Sequence, residues 1–195
     1  MKIQIKQFVF IAFVAVMAAG CASAPSRFYT LNATAKSDGS ATANYAVMVG
    51  PVTIPAEVDR PQFTVQVAPN SLAVDEFNRW AAPLNENIAG VIADDLSVLL
   101  GTTQVSAKPL ANFNAAYHVT VDIQQFESVP DKSALVEAVW VVHRTAGDIS
   151  LSGRTTANEP VSGAGFDSLA AAHSRALAKV SADIAGAIRS EAGQP

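Results

Sequence analysis

Three histidines, one cysteine and a single Asp-Asp pair are the side chains of this 195-residue chain best suited to chemistry, and their spacing argues against a reaction centre. His118, His143 and His173 show no His-x-x-x-His or Cys/His interval of the kind that holds a metal, so no metal ligand is expected. His118 and Asp122 share one face of a predicted strand, but four residues at about 3.3 Å each set them roughly 13 Å apart, too far for an acid–base pair. His173 falls on the apolar stripe of a predicted helix, the place of a histidine satisfied at a core edge. Asp94 and Asp95 diverge by about 100° around a helix, which reads as a solvated face rather than a cation site. Ser162-Gly163-Ala164-Gly165 lacks the spacing and the lysine of a phosphate loop and reads as a flexible helix approach. No catalytic residue is therefore assigned.

Two segments suit binding better. In Asp59-Arg60-Pro61-Gln62 the proline fixes φ near −65°, and Arg60 offers a planar set of donors matched to carboxylate or backbone acceptors. Either Asp59 caps a turn while Arg60 clamps an acid of its own domain, or the loop presents both to a partner. Trp80, next to Arg79 and shortly before Pro83, either packs under the first helix or anchors a protein contact, since tryptophan is enriched at binding hot spots.

The elements that must position these residues begin after an export signal. Lys2 and Lys6 precede an unbroken apolar run from Phe8 to Ala19, followed by Gly20 and Cys21. This is the layout of a secretory signal peptide over residues 1–20. As a helix the run would extend about 18 Å, short of the roughly 30 Å hydrocarbon core. Ala18-Ala19-Gly20-Cys21 resembles the bacterial lipobox, whose cysteine receives diacylglycerol, although the family usually has Leu where Ala18 stands. Cys21 is the only cysteine, so a disulfide within the chain is excluded. Ala22 and Ser23 lack the Asp that often marks inner-membrane retention, so the resemblance implies the outer membrane. Covalent lipid on Cys21 is expected, and no other cofactor.

Without residues 1–20 the chain keeps 11 basic and 17 acidic residues, a formal charge of −6 that disfavours nucleic acid and anionic headgroups as electrostatic partners. Residues 21–44 read as an acylated N-terminus and a flexible linker or long loop, interrupted by the strand-like Phe28-Tyr29-Thr30-Leu31. Residues 45–195 read as one domain. A strand from Tyr45 to Val52 and a hairpin of Gln62–Val67 with Ser71–Val74 precede a helix marked by Leu84, Ile88, Val91, Ile92, Leu96 and Leu99, with Pro83 at its start and Gly101 at its stop. Alternation at Tyr117–Ile123, Val136–Val142 and Ile149–Gly153 predicts an antiparallel meander, and a second helical stripe runs from Phe166 to Ile188. The expected fold is α+β: two layers, a largely antiparallel sheet, and two main amphipathic helices on one face.

Val49-Gly50-Pro51-Val52, Ile54-Pro55, Asp59-Arg60-Pro61-Gln62, Phe77-Asn78-Arg79-Trp80-Ala81, Pro83-Leu84 and Asn87-Ile88 resemble the signature of the ABC-type transport auxiliary lipoproteins, the PqiC-like group among them. Phe28-Tyr29-Thr30-Leu31 is similar to the segment after their acylated cysteine, and Ala172–Leu177 to their last helix. The resemblance implies a non-enzymatic outer-membrane lipoprotein in intermembrane lipid transport, facing the periplasm. Its partners would be an MCE-domain protein, an inner-membrane permease and, in a ring, further copies of itself. Asp59, Arg60, Pro61, Gln62, Arg79 and Trp80 are the candidate partner-binding residues. A lipid carrier opening around an acyl chain and a periplasmic hydrolase are the competing readings.

Overall fold

Alternating apolar and polar residues over Tyr117–Ile123 pack Tyr117, Val119, Val121 and Ile123 inward and leave His118, Thr120 and Asp122 exposed. The same rule organises most of the chain. The computed structural model describes residues 24–193, so the signal segment and Cys21 lie outside the described residues. In chain order the elements are β1 (Arg27–Tyr29), β2 (Val47–Thr53), β3 (Gln62–Ala68), β4 (Ser71–Trp80), α1 (Leu84–Leu100), β5 (Val105–Ser106), β6 (Tyr117–Val129), β7 (Ser133–Arg144), β8 (Ile149–Pro160) and α2 (Phe166–Glu191).

The fold is α+β with two main helices, but the strands divide between two sheets where one was expected. A five-stranded sheet has the order β5-β2-β6-β7-β8, and a three-stranded sheet has the order β1-β4-β3. The long ladders β6–β7, β7–β8 and β3–β4 are antiparallel, while β2 runs parallel to β5 and β6, and β1 parallel to β4. The helices pack side by side, α1 over β2 and β5, α2 over β7 and β8. Their shared interior is filled by Ile88, Ile92, Leu96, Leu100, Leu177, Ile184 and Ile188, all fully buried.

Local chemistry sets the boundaries. Gly101 ends α1 in the left-handed region at φ 63°, and the Thr102 N–H closes onto the Ser97 carbonyl at 3.0 Å. In β6 a bulge after Ile123 shifts the phase so that Phe126, not Gln125, turns inward. In β4 the Asp75 Oδ1 accepts the N–H groups of Phe77 and Asn78 at 2.9 and 2.8 Å. The ladder thereby skips from Asp75 opposite Phe63 to Arg79 opposite Gln62, and the strand continues six residues past the predicted end at Val74.

Asp95 corrects the solvated-face reading: it is fully buried. Its Oδ1 accepts the N–H groups of Thr34 and Ala35 at 2.9 and 2.8 Å, and its Oδ2 accepts the Ser181 hydroxyl at 3.2 Å. The segment between β1 and β2 is thus a long loop strapped across both helices. Asn87 accepts the Leu31 N–H at 2.8 Å, the Ser174 hydroxyl accepts the Asn32 N–H at 3.1 Å, and the Ala43 N–H reaches the Leu100 carbonyl at 2.9 Å.

Candidate functional site

Two grooves flank the start of α1, and both are walled by the signature segments. The larger, about 390 Å³, is lined by Asp59, Arg60, Pro61 and the run Trp80–Leu84. The smaller, about 310 Å³, lies between Gly50, Pro51 and Val52 on one side and Asn85, Glu86, Ala89 and Gly90 on the other, with Ala107 and Lys108 at its end.

The loop before β3 builds the first wall. The Val58 and Asp59 N–H groups both turn back onto the Pro55 carbonyl, at 3.1 and 3.2 Å, and the Arg60 N–H onto that of Val58 at 2.8 Å. Pro61 has no N–H to give, but its carbonyl accepts the Trp80 N–H at 2.7 Å, which pins the loop to the end of β4. The next N–H, of Ala81, goes to the Tyr29 carbonyl at 2.8 Å, so β1, β4 and the loop converge on one point.

Beneath that point lies an aromatic cluster. Trp80 is 5% exposed and stacks on Phe63 at 4.2 Å, with Phe126 edge-on at 6.1 Å. Phe63 in turn meets Tyr29 and Phe166 at 5.9 and 5.0 Å. Of the two readings of Trp80, packing is what the structure shows, with its ring partners on β3 and β6; the residue is the groove's floor and not a protruding anchor. Trp80 still belongs to the lining.

Asp59 and Arg60 are exposed at the rim, and neither side chain makes a hydrogen bond or ion pair with another described residue. The internal clamp weighed from the sequence is therefore not formed. Gln62 and Arg79 face each other across the β3–β4 ladder beside the groove. Both are committed to Glu76: Gln62 Nε2 donates to its Oε2 at 3.2 Å, and Arg79 Nε to its carbonyl at 2.8 Å. The structure thus brings Asp59, Arg60, Pro61 and Trp80 into one groove and leaves Gln62 and Arg79 as its supporting neighbours. Cys21 lies outside the described residues.

The histidines are arranged differently from their sequence spacing. His118 and His143 are direct partners across the β6–β7 ladder, and His143 Nδ1 lies 3.1 Å from the Ser150 hydroxyl. His173 is fully buried, its ring stacked on Phe126 at 3.8 Å and its Nε2 2.8 Å from the Ser128 hydroxyl, while Nδ1 has no hydrogen-bond partner among the described residues. Burial pushes its pKa down to about 3, which leaves a neutral ring with no route to solvent. Among the described residues no group of three His, Cys, Asp or Glu side chains is placed to hold a metal ion.

Sequence reasoning missed the Ala81–Leu84 wall as a lining, although the prolines at 61 and 83 signalled two rigid edges. It also missed the clamp at the far end of the fold. There the Tyr117 hydroxyl and Arg144 both donate to Glu191, at 2.6 and 2.8 Å, and hold its carboxyl below the usual range. These partners are separated by 74 and 47 residues, a distance no local pattern reports.

A family model described as ABC-type transport auxiliary lipoprotein component matches residues 29–185. No curated protein matches the sequence. Among solved structures, the crystal structure of an uncharacterized protein superposes with a TM-score of 0.70 at 18% identity, covering 85% of this chain and 99% of that one. A Xanthomonas campestris protein of the DUF330 family gives 0.69 at 18% identity, over 83% of this chain and 93% of that one. Both likenesses are to the fold. A dodecameric PelC of Paraburkholderia phytofirmans gives 0.39 at 16% identity, over 74% of this chain and 92% of that one, too weak a likeness to carry its assembly over.

Proposed function

The chain belongs to the ABC-type transport auxiliary lipoprotein family, and from that premise we propose that it is a non-enzymatic docking subunit of an MCE/ABC-type intermembrane lipid transport system. In this reading acyl chains on Cys21 hold the domain on the periplasmic side of the outer membrane. The groove of Asp59, Arg60, Pro61 and Trp80–Leu84 receives the periplasm-spanning MCE component. An inner-membrane permease completes the system, and the domain works as a homo-oligomer around the conduit.

The observation that carries the reading is the unpaired Asp59-Arg60 rim over a preformed apolar floor. An exposed guanidinium costs little to leave free, and it gains most when a partner carboxylate or carbonyl row desolvates it. The floor supplies apolar contact that needs no rearrangement, because Trp80 is already locked by Phe63. The fully buried Ile88, Ile92, Leu96, Leu177 and Ile184 between helices and sheet give the domain a packed interior, which suits a rigid docking surface.

A photo-crosslinking residue at position 60, carried by the full chain in cells, tests this. Adducts with the MCE-domain protein are expected, and Arg60→Glu should abolish co-purification while leaving thermal stability within about 0.5 kcal/mol, since the side chain has no internal partner to lose. Adducts with this chain alone, or co-purification unaffected by Arg60→Glu, would refute the docking role.

A further inference from the structure

Among the described residues the outward face of the three-stranded sheet is covered only in part: the loop before β3 shields Thr64, whose hydroxyl donates to the Glu57 carbonyl at 3.1 Å, and the apolar side chains along β1 and β4 stay exposed. Tyr29 and Trp80, a ladder pair of β1 and β4, point into the core, so the preceding pair, Phe28 and Arg79, points out. Farther along β4, Ala73 packs on the core, which turns Leu72 and Val74 to the outer side. Phe77 stands on the bulge between them. Phe28, Leu72 and Phe77 are 65%, 51% and 45% exposed, and Val67, beside the hairpin tip, is 59% exposed. Five of the eight large apolar side chains exposed among the described residues thus belong to these three short strands.

We infer that this face lies against a lipid bilayer, as a second membrane contact beside the acyl chains. The inference rests on the proposed acylation of Cys21. Phe28 is seven positions after that cysteine, and seven residues span at most about 25 Å however they are arranged. The sheet edge that follows the anchor is thereby confined near the bilayer surface. Residues 22–26 carry no charge, and the first charged side chain after the anchor is Arg27, one step before Phe28.

The polar groups of the face suit an interface. Arg79 stands beside Phe28 on this face, and a long cationic side chain carries its charge outward along an apolar stem at the headgroup level. The acids do not oppose contact by standing free. Asp75 is turned onto the Phe77 and Asn78 N–H groups, and Glu76 onto Gln62 and Arg79. Aromatic and aliphatic residues beside such cations match the boundary between headgroups and acyl chains. Several acyl chains already hold a protein on a membrane, so the sheet contact adds orientation rather than retention. With β4 lying flat, the Asp59–Arg60 groove at its Trp80 end, beside Phe28, is held at a fixed height and angle to the bilayer.

The test uses the full acylated chain reconstituted into vesicles of phosphatidylethanolamine with a minor fraction of phosphatidylglycerol. An environment-sensitive fluorophore is placed at Leu72→Cys, at Phe77→Cys and, on the exposed side of α1, at Val98→Cys. Lipids brominated along the acyl chain should quench the two sheet labels and spare the helix label. Equal quenching at all three sites, or none at the sheet, overturns the proposal. So does sheet-label shielding that grows with protein concentration and is indifferent to brominated lipid, which assigns the face to a second copy. The intact mass of the same preparation reports acylation separately. An acylated chain with unquenched sheet labels overturns the sheet contact and leaves the anchor standing. An unacylated chain overturns the anchor, and the sheet labels then decide whether the face binds the bilayer unaided.

Discussion

Replacing Asp95 by alanine should release the loop between β1 and β2 from the helices, whereas asparagine should hold it. The carboxylate takes two backbone N–H groups through one oxygen and the Ser181 hydroxyl through the other. With alanine, Ser181 falls back on the Leu177 carbonyl it already meets at 3.0 Å, but the Thr34 and Ala35 N–H groups are left without an acceptor. An orphaned buried donor costs about 1–3 kcal/mol, so the two together set an upper range of about 2–6 kcal/mol. Thr34 is exposed on its outer side, and the loop can therefore lift into water instead of enduring the full penalty. A loss of roughly 2–3 kcal/mol follows, near the lower end. Asparagine keeps the accepting oxygen and turns an amide toward Ser181. Burial raises the Asp95 carboxyl above its usual pKa, with the hydrogen bonds from Ala35 and Thr34 pulling it back only in part, so the fold prefers the neutral group that the amide imitates. Because the folded value is raised, this residue's stabilisation is fullest below the unfolded pKa and is lost as pH rises through the folded one. Asp95→Asn removes that term and should cost under about 1 kcal/mol at neutral pH. Urea unfolding measures both variants, and hydrogen exchange at Thr34 and Ala35 reports whether the loop has opened. If Asp95→Ala is as stable as Asp95→Asn and both amides stay protected, the strap is not held by this carboxylate and the reasoning fails.

Two further outcomes test the packing around the sheets. A Cβ on Gly153 would overlap the Trp140 ring, whose Nε1 donates to the Thr155 hydroxyl at 3.0 Å. Gly153→Ala should therefore displace the indole and cost about 1–3 kcal/mol, seen as a lower Tm together with a shifted tryptophan emission; an unchanged Tm would mean the ring is not seated there. His173 should remain neutral far into the acid range, because burial holds it near 3 while an unfolded chain protonates at about 6.5. Its depressed value makes stability fall as pH drops below the unfolded pKa, by up to about 1.4 kcal/mol per pH unit until the folded value is reached. An NMR titration showing a midpoint near 6.5 for this ring in the folded protein would contradict its burial.

Periodicity made both helices and the meander legible before any coordinates. Leu84 to Leu99 and Phe166 to Ile188 repeat at the helical interval, Tyr117 to Ile123 at the strand interval, and each pattern is local enough to be read from neighbours along the chain. The partition of strands was not legible in the same way. Nothing in Phe28-Tyr29 or in Gln62–Trp80 tells which sheet each joins, since edge pairing depends on contacts that reach across about 50 residues, as Tyr29 does to Trp80. The β4 extension was hidden because its bulge replaces alternation with an Asp75 turn.

From its order of residues alone the chain specifies a signal-like N-terminus, one cysteine, two amphipathic helices, alternating strands and a proline-edged Asp-Arg loop next to a tryptophan, because each depends on side-chain type at short intervals. Only the tertiary structure decides that Asp95 is a buried latch, that Trp80 is a floor, and that Arg60 finds no partner among the described residues. Those outcomes turn on which distant backbone groups and rings arrive beside each side chain, and burial, charge and hydrogen bonding have no value until they do.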